Sequence, residues 1–449
     1  MADSCPQWCT DAFEQCAAEA RARGVADVEA ILAAESSALT RFANNTIHQN
    51  VAEHARHLSV RVIVEGRTAR ASTNRLDADG VRDAVEQAIT ITKLTEPDPE
   101  LLPLAGPAPY PAVHRHFEAT ARATPEERAR AVAEAIRAVE DAGQTAAGIY
   151  STGEQEFALL NSHGVAAFHR ETTARFSITA MAADSSGWAK ASACYHGDLN
   201  PLALAVSAAQ KATVSRNPRV LPAGRYTVIL EPAAVLDLAG QMFGDFSATA
   251  IRDGRSFLND RIGKQIFGRN IEIADDAAHA LQAGAPFDGE GVPRKRLTLV
   301  EAGVPREIAY SRQAAALAGA APTGHGFPLP NEYGEAPANI VIAGGESSVE
   351  EMIASTERGV LVTRLWYIRE VDPYEKIFTG MTRDGTFLVE NGRVAGGVRN
   401  FRFNEGLMEM LSNVEMLGAS VRAAGEEVPE MVVPAMKVAN FNFTEVTRF

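Results

Sequence analysis

The chain has 449 residues, 46% of them hydrophobic and 22% charged, with 35 Gly and 22 Pro. At roughly 150 residues per domain that is two or three globular units with a sizeable core, which excludes a disordered or collagen-like chain. Basic residues number 43 against 57 acidic, and the net charge of −14 repels phosphate backbones and anionic bilayers, so nucleic acid is not an expected partner.

No basic segment leads into an apolar one at the N-terminus, and no run of about 18 apolar residues is long enough to span a bilayer, so a cytoplasmic protein without membrane attachment is expected. A helix is predicted around Asp11 to Arg23, with Cys5, Cys9 and Cys16 on roughly one face. Those thiols suit burial as small apolar groups better than zinc, because no nearby His or C-x-x-C pair accompanies them. VEAIL (28–32) and ALTRFANNTIHQN (38–50) follow. In LSVRVIVEGRTARAST, Leu58, Val60, Val62 and Val64 alternate before a Glu65-Gly66 turn, the pattern of a hairpin with one buried face. A helix from about Asp79 carries Val81, Val85, Ala88 and Ile89 on one stripe and stops at TEPDPE.

The proline-rich LLPLAGPAPYPAV is the linker candidate. Beyond it, Thr124-Pro125-Glu126-Glu127 combines an N-cap, Pro at the first helical position and a capping-box Glu, opening a helix that ends near Gly143. Strands are predicted at GIYSTG and EQEFALL, a turn at NSHG, a hairpin about Ser186-Gly187, and a helix from Asn200-Pro201 to the Asn217-Pro218 pair. From Leu221 onward come an apolar strand, GRYTVILEP, a helix, AAVLDLAGQMF, and many short alternating segments. The fold class is therefore α+β: mixed α/β units at 1–100 and 115–218, then a largely antiparallel β domain at 221–449.

A series of phrases in fixed order resembles the TldD/PmbA (modulator of DNA gyrase) family from about residue 40 to 404. They are TRFANNTIHQN, LLNSHGV, PAGRYTVILEPAAVLDL, GRSFLNDRIGKQI, FDGEGVPRKRLTLVEAGV, TGHG and FLVENGRVAGGVRNFRFN. The resemblance implies a TldD/PmbA-like fold. It also implies a metallopeptidase heterodimer that degrades or processes unfolded or leader-bearing peptides. In that family the TldD-type subunit carries H-E-x-x-x-H after the YTVILEP-like strand, with the Glu activating a metal-bound water, and a late cysteine ligand. Here Asp237, Leu238 and Met242 stand at the motif positions, and no cysteine follows Cys194. Leu cannot act as a general base and a thioether is a poor zinc ligand. The resemblance thus points to a PmbA/TldE-type subunit without catalytic or metal-ligating residues of its own. Zinc is then expected in a TldD-type partner, with a homodimer as the other assembly.

None of the ten histidines is followed by Glu, so no hidden H-E-x-x-H exists. His54 and His57 are read as surface or core residues. His114, His116 and Glu118 would face one side of a strand and are the best alternative metal set by spacing. The G-x-S-x-G elbow and the phosphate-loop pattern are absent. Phe42, Asn44 and Asn45 read equally well as a tight turn or as a peptide or subunit contact. Asn161 in the NSHG turn and His325 between two glycines are further contact candidates. Two other functions remain open at this level: a self-contained hydrolase using an unrecognised site, and a non-proteolytic modulator of a toxin or DNA gyrase.

Overall fold

The computed structural model describes residues 5–447. Its first half is an α-β-β-β-α unit used twice. Helix α1 (Gln7–Ala22), strands β1 (Asp27–Ala43), β2 (Thr46–Val64) and β3 (Arg67–Thr73) and helix α2 (Ala78–Leu94) make the first copy. After a one-turn helix α3 (Glu118–Ala121), helix α4 (Pro125–Asp141), strands β4 (Thr145–Asn161), β5 (Ala166–Met181) and β6 (Ser186–Ala193) and helix α5 (Pro201–Val214) make the second. The two copies share one antiparallel sheet in the order β3-β2-β1-β4-β5-β6, joined by the long β1–β4 pair.

Alternation decides which face is buried. Val28, Leu32, Val60 and Val62 pack with Cys9, Cys16 and Val85 of α1 and α2. Phe42, Phe176 and Ile178 pack with Val132, Val139 and Ala208 of α4 and α5. Because Leu32 and Phe42 share parity on β1, both helix pairs lie on the same face of the sheet. The cysteines at 9 and 16 are buried core members, as small apolar groups, and Cys5 is half-buried. The predicted caps form: Thr124 and Glu127 complete a capping box, and Asn200 caps α5.

The second half contains β7 (Gly224–Leu230), α6 (Pro232–Ala239), α7 (Ala248–Arg252), β8 (Ile273–Asp275), β9 (Leu297–Glu301), β10 (Val304–Pro305), α8 (Arg312–Ala318), β11 (Ile340–Ile342) and α9 (Val349–Ala354). It continues with β12 (Arg358–Asp372), β13 (Ile377–Glu390), β14 (Arg393–Gly397), β15 (Phe401–Gly406), α10 (Leu407–Ser412), β16 (Val414–Leu417), β17 (Val421–Ala423), β18 (Met431–Val433) and β19 (Met436–Val446). Strands β12-β7-β19-β15-β13 close into a ring because β13 also pairs with β12, giving a small barrel. A second sheet runs β10-β9-β8-β11-β18-β17. Most pairings are antiparallel, but β7–β12 and β11–β18 are parallel, so the domain is a mixed β-barrel. Its core holds Val228, Leu236, Phe257, Phe401, Phe403 and Met436 among others.

Three local expectations change. The β5–β6 turn lies at 182–185, closed by the Ala182 N–H to the Ser185 carbonyl, rather than at Ser186-Gly187. Gly187 sits inside β6, where a Cβ would come within 2.1 Å of the Ala208 carbonyl on α5, so the glycine serves close helix approach instead of the turn. GIYSTG and EQEFALL are one continuous strand, β4. Residues 114–117 are not a strand, because Arg115 is pulled inward to the carbonyls of Ala277 and Gly284 and fixes an irregular path.

Candidate functional site

Helix α6 follows β7 through Glu231-Pro232, with Pro at the first helical position, and passes at Gly240 into a 3-10 stretch that ends at Asp245. This places Asp237, Leu238 and Met242 in fully buried positions. They do not converge on one point. Leu238 and Met242 belong to the large apolar core of the barrel domain. Asp237 turns toward the segment before β18, where its Oδ1 accepts the backbone N–H of Glu426 and of Glu427, both at 3.0 Å.

That contact is close enough to demand glycine, since a Cβ on Gly425 would lie 2.1 Å from Asp237 Oδ1. A Cβ on Gly240 would likewise lie 2.6 Å from a Val428 side-chain methyl, so the 425–427 backbone and the Val428 side chain together cover α6. Burial pushes the Asp237 carboxyl up to about 6. The two N–H donors oppose that shift, and the neighbouring Glu426 and Glu427 carboxylates reinforce it. The surrounding elements hold the same segment. Lys190 of β6 donates to the Gly425 carbonyl at 2.5 Å and pairs with Glu426. Arg175 of β5 pairs with Glu430 at 2.5 Å, and Glu427 accepts the Tyr367 N–H at 2.6 Å.

A zinc ion does not fit this arrangement. The carboxylate lone pairs are directed at N–H donors, whose positive ends repel a cation, and Leu238 and Met242 beside it supply no general base and no good zinc ligand. Among the described residues, no group of three or more His, Cys, Asp or Glu side chains is arranged to hold a metal. The alternative set at 114–118 is dispersed: His116 is buried against Glu154 at 2.7 Å, His114 stacks at the edge of Phe117, and Glu118 pairs with Arg122.

Phe42 is buried and stacks on Phe176 with ring centroids 6.2 Å apart. Asn44 and Asn45 occupy the β1–β2 turn with φ of 52° and 59°, the left-handed conformation that asparagine tolerates best after glycine. Asn44 is exposed, whereas the Asn45 side chain bonds the Ala146 N–H and the Gln144 carbonyl. Asn161 is buried; it accepts the His163 and Val165 N–H groups and donates to Ala105, pinning the proline-rich connector. His325 is buried with its Nδ1 on Thr323 Oγ1, and its Nε2 approaches Asp275 Oδ1 to 3.1 Å, out of line for a hydrogen bond. His54 lies on β2 beside Ser36, and His57, three residues on, points to the opposite face.

Several buried polar centres carry no motif that a sequence reading would detect. Glu335 takes the Ser247 and Thr249 hydroxyls and the Thr249 and Ser311 N–H groups, joining α7 to α8. Glu29 binds Arg61 at 3.0 Å and Arg70 at 2.6 Å. Arg364 lies between the Trp188 and Trp366 rings and pairs with Asp384, which also accepts from Ser186. That group borders a cleft of about 710 Å³, lined by Asp184, Ser215, Asn217 and Arg399 among others and separate from α6. Its chemistry is polar and hydroxyl-rich, with no reactive pair.

Sequence models of three consecutive domains match: PmbA/TldA metallopeptidase domain 1 over residues 28–92, the central domain over 116–216, and the C-terminal domain over 223–445. The chain is 26% identical over 399 residues to "Metalloprotease PmbA" of Escherichia coli O157:H7, covering 85% of each. It superposes on TldE from Thermococcus kodakarensis with a TM-score of 0.87 at 21% identity, over 96% of this chain and 99% of that one. A putative modulator of a DNA gyrase from Thermotoga maritima gives a TM-score of 0.86 at 21% identity, over 97% of this chain and all (100%) of that one. With the fold shared end to end and all three domain models in order, the chain belongs to the PmbA/TldD metallopeptidase family.

Proposed function

We propose that this chain is a PmbA/TldE-type, non-catalytic subunit of a cytoplasmic metallopeptidase that degrades or processes unfolded peptides, with zinc and the catalytic groups supplied by a TldD-type subunit. The observation that carries the reading is the fate of the motif positions. Asp237 is consumed by the backbone N–H groups of Glu426 and Glu427, while Leu238 and Met242 are core residues. An active site needs a water-accessible metal with an open coordination position. Here Asp237 is instead saturated by backbone N–H groups and the Val428 side chain covers α6, which supports the reading.

The supporting role then falls to the large sheet and its covering domain, which enclose and position rather than react. The test is hydrolysis of an unfolded peptide such as reduced, carboxymethylated casein by the purified chain, by a TldD-type subunit, and by the mixture. Activity in the mixture alone is expected. Hydrolysis by this chain alone, abolished by chelator, would overturn the reading.

A further inference from the structure

The first turn of α1 brings two cysteines into contact, and the peptidase reading uses neither. Pro6 caps the helix in an extended conformation, with φ of −60° and ψ of 148°, and its carbonyl accepts the Cys9 N–H at 3.0 Å. Cys5 therefore stands one residue before the cap and Cys9 at the third helical position. Across such a cap the preceding residue folds back over the first turn, as in a hydrophobic staple. Cys5 packs on the apolar cluster to which Cys9 belongs, and the two thiols share a hydrogen bond in which the Cys9 S–H donates to the Cys5 sulfur. Cys9 is fully buried, whereas Cys5 is half-buried and partly open to solvent.

The two sulfurs are not equivalent. The hydrogen bond from Cys9 draws the Cys5 thiol below the ordinary thiol range, against the opposing effects of burial and the Glu156 carboxylate. The same bond, together with burial, pushes Cys9 far up. Arg56 of β2 lies over the Trp8 ring at 4.8 Å and opposes Glu156 of β4 at Cys9; these are the charged groups that act on the pair. Cys16, two turns on, is raised by burial to about 12 and stays a protonated core thiol.

We infer that Cys5 and Cys9 form a peroxide-responsive pair, with Cys5 as the attacking sulfur and Cys9 as the resolving one, closing to a disulfide across the first turn of α1. The Cys5 thiolate attacks one oxygen of a hydroperoxide. An S–O bond forms, the O–O bond breaks, and the other oxygen takes up a proton and leaves as water or an alcohol. Sulfur has then lost two electrons and the peroxide has gained them. The Cys9 sulfur attacks the sulfenic acid so formed; the S–S bond forms, the S–O bond breaks, and hydroxide leaves with the Cys9 proton as water. With the negative charge gone from Cys5, the influence that most strongly held the proton on Cys9 is gone as well. An external thiol resets the pair by exchange.

Mass spectrometry of the full chain after a modest excess of hydrogen peroxide tests this, with circular dichroism as the check on folding. A mass lower by two hydrogens is expected, with Cys5 and Cys9 in one disulfide and Cys16 and Cys194 still alkylated by iodoacetamide after unfolding. Cys9→Ser keeps a donor to Cys5 but removes the resolving sulfur, so the Cys5 sulfenic acid should accumulate and be trapped by dimedone. Cys9→Ala removes the donor too, and alkylation of Cys5 at neutral pH should slow several-fold. Cys5→Ala, at the partly open position, should leave a folded chain whose Cys9 is insensitive to peroxide. Two free thiols in the peroxide-treated wild type, a disulfide joining two chains, no dimedone adduct in Cys9→Ser, or Cys5 reactivity indifferent to Cys9→Ala would each overturn the inference.

Discussion

Replacing Asp237 separates a structural role from a metal-binding one. Asp237→Ala leaves the buried N–H groups of Glu426 and Glu427 without an acceptor. At about 1–3 kcal/mol for each of the two orphaned donors, the expected loss is about 2–6 kcal/mol of unfolding free energy. Asp237→Asn should behave differently, because Oδ1 takes both N–H groups at 3.0 Å, with Oδ2 only sharing the Glu426 N–H at 3.2 Å, and an amide oxygen can replace Oδ1. The pH dependence adds an independent reading. Burial raises the folded carboxyl to about 6 against about 3.9 unfolded, so between these values the folded state holds the extra proton and stability falls as pH rises. Two units correspond to about 3 kcal/mol, lost between about pH 4 and 6 in the wild type and retained by the Asn variant. Urea unfolding of the three proteins at several pH values supplies the numbers. An Ala variant as stable as the wild type, or an Asn variant with the same pH slope, would refute the hydrogen-bonded lock.

Other consequences follow from single contacts. Glu29→Ala should cost about 3–5 kcal/mol, because it strands the buried Arg61 and the largely buried Arg70 without their shared carboxylate; urea unfolding measures it. Glu335→Ala should lower the melting temperature by several degrees by removing the acceptor of four donors from Ser247, Thr249 and Ser311. Asp275 is driven upward by its burial, but His325 and other partners outweigh this and hold it below the usual range, so its contribution is lost as pH falls through that depressed value. His325→Phe should therefore move the acid-unfolding midpoint to higher pH. Gly187→Val should destabilise the α5–β6 contact, where even one added carbon meets the Ala208 carbonyl at 2.1 Å, and hydrogen exchange of β6 amides should report it.

Elements with strong local signals were legible in the sequence. The Thr124 capping box, the Asn200 cap and the Val60/Val62 alternation each rest on a few neighbouring residues, and the structure has them where expected. What escaped depends on distant partners. Gly187 reads as a turn residue until α5 is seen against it, and the 114–117 stretch reads as a strand until Arg115 is seen reaching Ala277 and Gly284. Closure of the barrel through β12–β13 and the parallel β7–β12 pair have no local signature either. At the candidate site, the residue types at 237, 238 and 242, an acid and two apolar side chains, were legible residue by residue. That the 425–427 backbone and the Val428 side chain pack over α6, with Asp237 as the anchor, needed the contact across nearly two hundred residues.

The most direct test of the central claim is the zinc content of the full chain purified alone without chelator, measured by plasma mass spectrometry, and again after assembly with a TldD-type subunit. Near zero per chain alone and about one per assembled pair is the expected result. Close to one zinc per chain in the protein alone, unchanged by Asp237→Ala, would place a metal site elsewhere in this molecule and contradict the account.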